Sequence, residues 1–137
     1  MGQQQLLLVT LSAIVVGISV FIGIHIFMSG SAQSNQDAVV HDLLTIATRA
    51  QEYYRRPVML GGGGFSYANL TTPEDIKNRL NFPTPNANGS YSVFAAGTVN
   101  GVSFQGIGLY DQNGDNTPIT IQVQVTPEST KTNLINR

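Results

Sequence analysis

An uncharged apolar run from Leu6 to Met28 is the feature that most limits how this chain can fold. Its 23 residues, at ~1.5 Å per residue in a helix, reach across a hydrocarbon core of ~30 Å. The run passes without a Pro or a turn cluster into an amphipathic segment that ends at Tyr53-Tyr54-Arg55-Arg56-Pro57. The pattern therefore predicts one long helix with two surroundings, an apolar one for residues 1–28 and a half-aqueous one for residues 29–56. The charge distribution agrees, because all 7 Lys and Arg and all 8 Asp and Glu residues lie at or beyond Asp37.

The run lacks the basic n-region of a secretory signal and exceeds the usual length of its apolar core. It also lacks flanking Lys or Arg, so charge gives it no orientation. Those missing flanks imply a basic leader removed beforehand, with Met1 the processed N-terminus. Ala13 with Gly17, and Ser19 with Gly23, stand at four-residue spacing. Such pairs either let helices approach closely or reflect the general abundance of Gly in membrane helices. Gly17-Ile18-Ser19 is the cheapest place for the helix to loosen, and Ser29-Gly30-Ser31 is a weak spot where it could bend. His25 reads as a neutral interfacial side chain, having no second ionisable group beside it.

From Ser34, Val39, Val40, Leu43, Ile46, Ala47, Ala50, Tyr53 and Tyr54 recur at steps of three and four and define one helical face. Asp37, Asp42, Arg49, Glu52 and Arg56 fall largely on the other, and Pro57 closes the helix. The part beyond Pro57 is short, without Cys, and marginal as a domain unless the helix lends it an apolar face. Pro57 to Thr71 reads as loop around Gly61-Gly62-Gly63-Gly64. That run leads into Phe65-Ser66-Tyr67 rather than the Gly-Lys-Ser/Thr of a phosphate loop, so it serves flexible backbone or close packing. Thr72-Pro73-Glu74-Asp75 starts a short helix over 73–81. Ser90 to Val99 and Val102 to Tyr110 flank Asn100-Gly101, a strong hairpin signal. Ile119 to Thr126 alternates, with Ile119, Ile121, Val123 and Val125 facing a core. The expected fold is thus α+β, a long N-terminal helix on a three-stranded antiparallel sheet in a domain over 57–137, followed by a polar tail from Pro127 to Arg137.

The net charge of −1 argues against nucleic acid as the main partner, since phosphate backbones need a concentrated basic face. Arg55-Arg56 reads as a solvated helix end. Absence of Cys excludes disulfides and thiolate metal sites. Asp111, Asn113 and Asp115 alternate as calcium ligands do, but Asn116 and Gln122 stand where such a loop needs Gly and a carboxylate, and turn chemistry accounts for them equally. Asn69-Leu70-Thr71 and Asn88-Gly89-Ser90 fit the glycosylation pattern. His25 and His41 belong to no recognisable nucleophile–base set. Neither an enzyme nor a cofactor is expected.

An uncharged helix at the very start, running through Ala38-Val39-Val40-His41-Asp42-Leu43-Leu44-Thr45-Ile46-Ala47-Thr48-Arg49-Ala50-Gln51-Glu52-Tyr53-Tyr54 toward a small sheet, resembles the type IV pilins and pseudopilins. The resemblance is clearest over residues 1–57. It implies a subunit stored in the inner membrane, a leader removed by a prepilin peptidase, a methylated first residue (Met1), and assembly machinery that builds an extracellular helical homopolymer. Leu6, Leu7, Leu8, Leu11, Ile14, Val15, Ile18, Phe21 and Ile22 would then form the filament core. The chain departs from that pattern at Gln5, where the family usually has Glu to pair with a neighbour's terminal amine. It departs again near Ile22, where the family usually has Pro, and in lacking a Cys-bridged C-terminal loop. Motility, adhesion, DNA uptake and secretion share this subunit design. A pseudopilin of a secretion system is the nearer alternative, and a single-pass membrane-anchored binding module the more distant one.

Overall fold

The computed structural model describes residues 2–136. Helix α1 (Gly2–Arg55) leads through a 3-10 turn (Val58–Leu60) and α2 (Pro73–Asn78) to four strands: β1 (Gly89–Ala95), β2 (Val102–Gly108), β3 (Thr120–Val125) and β4 (Thr130–Asn136). The protein is α+β, with the long N-terminal helix and the antiparallel sheet that the sequence pattern predicts. Two compact units divide at Ser31/Ala32, beside the Ser29-Gly30-Ser31 weak spot. The helix is nevertheless assigned without interruption through that tripeptide and through Gly17–Gly23. No Pro removes an amide donor there, and an isolated Gly costs only ~1 kcal/mol.

In the second unit the core forms where the helical face meets the sheet. Val39, Leu43, Ile46, Ala47, Ala50 and Tyr53 are fully buried, with Val40 and Tyr54 half-buried at the margins. The sheet contributes Tyr91, Val102, Phe104, Ile121, Val123 and Val125, and Ile119 joins them just before β3. Each large side chain among these is worth ~1.5–3 kcal/mol of burial. Gly106 marks a close approach of helix and sheet: a Cβ there would stand 2.8 Å from Val39 Cγ1 and 3.1 Å from Leu43 Cδ1.

The sheet has four strands in the order β1-β2-β3-β4, each pair antiparallel, which corrects the expectation of three. The polar tail supplies the fourth. Thr130, Thr132 and Leu134 stand opposite Val125, Val123 and Ile121, yet β4 is exposed along all but its last residue. A strand that buries neither face carries no alternation to read. Its gain is backbone pairing along the β3 edge, which would otherwise present unpaired N–H and C=O groups. Thr126 sets the connection, its Oγ1 accepting from Ser129 N at 3.0 Å.

Several boundaries also move inward: β2 closes at Gly108 rather than Tyr110, and β3 loses one residue at each end. β1 stops at Ala95 because residues 97–98 bond elsewhere: Gly97 N donates to Leu70 O, and Tyr67 N donates to Thr98 O. The Asn100-Gly101 hairpin stands, closed by Thr98 N donating to Gly101 O at 2.8 Å. Helix α2 ends at Asn78, not 81, since Asn81 takes a left-handed conformation (φ 53°). Its start follows the predicted chemistry. Pro73 occupies the first turn, and Asp75 Oδ2 accepts from Thr72 N at 2.9 Å and Thr71 N at 3.0 Å. Burial pushes the Asp75 carboxyl up, but these bonds and that from Arg79 outweigh it and hold it at about 2.

Candidate functional site

The first unit is defined by what its side chains do not touch. All sixteen large apolar residues between Leu6 and Met28 are exposed, from 49% at Ile22 to 76% at Phe27. The nine residues expected to form an assembly core are among them, and Gln5 is exposed as well. Met1 lies outside the described residues. An 18-residue window of this helix has a mean hydropathy of 2.7 and no buried residue, so it is long and apolar enough to cross a membrane.

The side-chain hydroxyls of the unit are satisfied within it. Ser12 Oγ donates to Leu8 O and Ser19 Oγ to Val15 O, both at 2.7 Å. Thr10, Ser29 and Ser31 bond back to the preceding turn in the same way. A hydroxyl so engaged asks nothing of water, which lowers its cost in an apolar medium. His25 stacks on Phe21 with ring centroids 6.1 Å apart. A Cβ added at Gly17, Gly23 or Gly30 would meet nothing within 4 Å, so no contact inside the subunit requires these glycines.

The polar features of the second unit are largely spent on its own backbone. The four-glycine turn caps the C-terminus of α1. Gly63 N donates to Tyr53 O at 2.8 Å, Gly64 N to Arg56 O at 3.0 Å, and Phe65 N to Tyr54 O at 2.8 Å. These amides face the helix carbonyls left without partners at a C-terminus. Around them, Val58, Met59, Leu60 and Phe65 stand exposed. In the β2–β3 loop, Asp111 Oδ1 accepts from Asn113 N and Gly114 N, and its Oδ2 from Asn116 N at 2.7 Å. Asp115 Oδ1 accepts from Thr117 N at 2.8 Å, and Thr117 holds that carboxyl below its ordinary value. Asp111, Asn113 and Asp115 thus lie in one loop, their oxygens turned onto loop amides. Among the described residues no three His, Asp or Glu side chains gather as a metal site. Asn69 is exposed, whereas Asn88 is half-buried, its Nδ2 donating to Asp42 at 2.8 Å.

Asp42 is the residue that helical periodicity misplaces. Expected on the solvent face, it is half-buried, and its Oδ2 accepts from Tyr91 Oη at 2.6 Å, Asn88 Nδ2 at 2.8 Å and Asn86 Nδ2 at 2.9 Å. Burial pushes its carboxyl up, and the three donors together bring it below the ordinary value. Tyr91 is pushed up by burial and by the Asp42 carboxylate. Beside this knot, Asn35 joins α1 to both ends of the sheet entry, donating to Asn88 O at 2.8 Å and accepting from Leu109 N at 2.9 Å. No family model matches the chain, nor does any curated protein or solved structure.

Proposed function

We propose that the protein is a structural subunit of an extracellular filament of the type IV pilus kind, built by bundling the apolar N-terminal helices of many copies. The observation that carries this reading is the row of sixteen exposed apolar side chains on a helix whose own hydroxyls are already satisfied. Hiding such a row from water is worth on the order of 25–50 kcal/mol at ~1.5–3 kcal/mol each. A free aqueous monomer is therefore excluded, and only lipid or sister helices supply a suitable cover.

Lipid is as apolar as a helix bundle, so burial gives no drive out of the membrane. A machine must extract subunits, after which water outside the filament retains them. The second unit then forms the filament surface. Gln5 offers a neighbour's terminal amine an uncharged acceptor, roughly half as strong as a carboxylate.

Electron microscopy of material sheared from cells, with mass spectrometry of the subunit N-terminus, tests the proposal. The expected result is filaments made of this chain with a methylated first residue. Polymers that persist after deletion of residues 1–28 would overturn it.

A further inference from the structure

Three of the 7 basic residues of the chain, Arg49, Arg56 and Arg79, line one open cleft of ≈ 330 Å³. Arg49 lies on α1, Arg56 follows seven residues later just past the end of that helix, and Arg79 caps the C-terminus of α2. Glu52, Tyr53, Leu80 and Asn81 complete the wall.

Each guanidinium is positioned by part of its donor set. Arg49 Nη1 donates to Leu80 O at 3.2 Å and to Asn81 O, and its guanidinium lies 5.7 Å from the centre of the Phe82 ring. Arg49 makes no ion pair with a carboxylate among the described residues. Arg79 Nε donates to Asp75 Oδ1 at 3.0 Å and its Nη1 to Tyr53 Oη at 3.5 Å. Arg56 pairs with Glu52, whose side chain is 65% exposed. Three guanidiniums thus face two carboxylates, Glu52 and Asp75, and one positive charge is left over.

We propose that this cleft binds a tetrahedral oxyanion, the phosphate or sulfate group of an ester, between Arg49, Arg56 and Arg79. A carboxylate is satisfied by one bidentate guanidinium, whereas the donors that three arginines keep free suit the three non-bridging oxygens of a tetrahedral group. The volume falls at the lower end of the ~300–1,000 Å³ range of small-molecule sites, enough for the anion and a small attached group. Glu52 competes for Arg56, but an exposed ion pair of this kind is weak, so an incoming anion displaces it readily. The site is built from residues 49–81 and is independent of the filament reading.

The test uses the full chain in detergent micelles, following the arginine Nε–Hε signals by NMR during titration with inorganic phosphate, sulfate, acetate or chloride at constant ionic strength. The signals of Arg49, Arg56 and Arg79 are expected to shift saturably with phosphate or sulfate while that of Arg55 stays put. Saturation by phosphate alone identifies a phosphate ester as the ligand class, and saturation by sulfate identifies a sulfate ester. Arg56→Gln is expected to weaken binding about tenfold, and Glu52→Gln, which frees Arg56, to tighten it by up to about fivefold. Both side chains are solvent-accessible, so these variants remain informative if Arg49→Gln fails to fold. Equal shifts with acetate or chloride, no saturable shift, or unchanged affinity in Glu52→Gln would each overturn the proposal.

Discussion

Asp42 shows how one side chain can tie a helix to a sheet. Its Oδ2 gathers Tyr91 Oη, Asn88 Nδ2 and Asn86 Nδ2, while Asn86 Oδ1 accepts from Asn88 N and Gly89 N at the start of β1. Hydrogen bonds to a charged acceptor are worth ~1.5–3 kcal/mol each, more than neutral ones. The carboxyl sits below its ordinary value of 3.8 in the folded protein, so the folded state holds its proton less tightly than the unfolded chain. Its contribution is then complete above the unfolded value and is lost as pH falls through the folded one. Asp75, held at about 2, acts in the same direction. Tyr91→Phe should therefore destabilise the domain by ~1.5–3 kcal/mol at pH 7 and by less at an acid pH low enough to neutralise the Asp42 carboxylate. Urea titrations followed by near-UV circular dichroism of the remaining tyrosines measure both. Equal losses at the two pH values would show that the charge on Asp42 is irrelevant to the bond.

At the scale of elements, legibility follows burial. The α1 face from Val39 to Tyr53 and the alternation from Ile119 to Val125 could be read because each buries one side and exposes the other. β4 could not, because both of its faces are open and its reason for existing is backbone pairing with β3. Asp42 and the arginine cleft were illegible for a different reason: their partners lie dozens of residues away, and periodicity reports only an element's own faces. The four-glycine run was half-legible, as either flexible backbone or close packing, and the structure selects packing. Gly61 and Gly64 have φ of 76° and 57°, and a Cβ on Gly63 would meet Ser66 O and lie 2.8 Å from Tyr53 Cε1. Gly63→Ala should therefore cost ~1–3 kcal/mol through displacement of the Tyr53 ring and the cap it accompanies. The readout is the thermal midpoint of the second unit in the full chain. A midpoint equal to that of the parent protein would return the turn to the status of a loose linker.

For the whole molecule, the decisive residues are those whose identity the subunit itself does not require. Gly17 and Gly23 have open space where a Cβ would be, and each costs its helix ~1 kcal/mol relative to Ala. Replacing them should leave an isolated subunit as stable as before or slightly more so. In a bundle the outcome is opposite, because small residues at four-residue spacing set how closely backbones approach. Gly17→Leu is accordingly expected to give a membrane-inserted subunit of unchanged helicity in detergent and an unchanged melting of the second unit. Few or no filaments should appear in sheared material. Ile18→Leu, which keeps both volume and apolarity, serves as the matched control and should assemble normally. If the helix only anchors a binding domain, both variants behave like the parent protein, since no neighbouring copy meets the altered face. Normal filaments from Gly17→Leu would place that face away from the bundle and move the close contact to another stripe of the same helix. Loss of filaments together with an intact monomer means that the leucine strikes something outside its own subunit, a packed sister helix or the machine that delivers it.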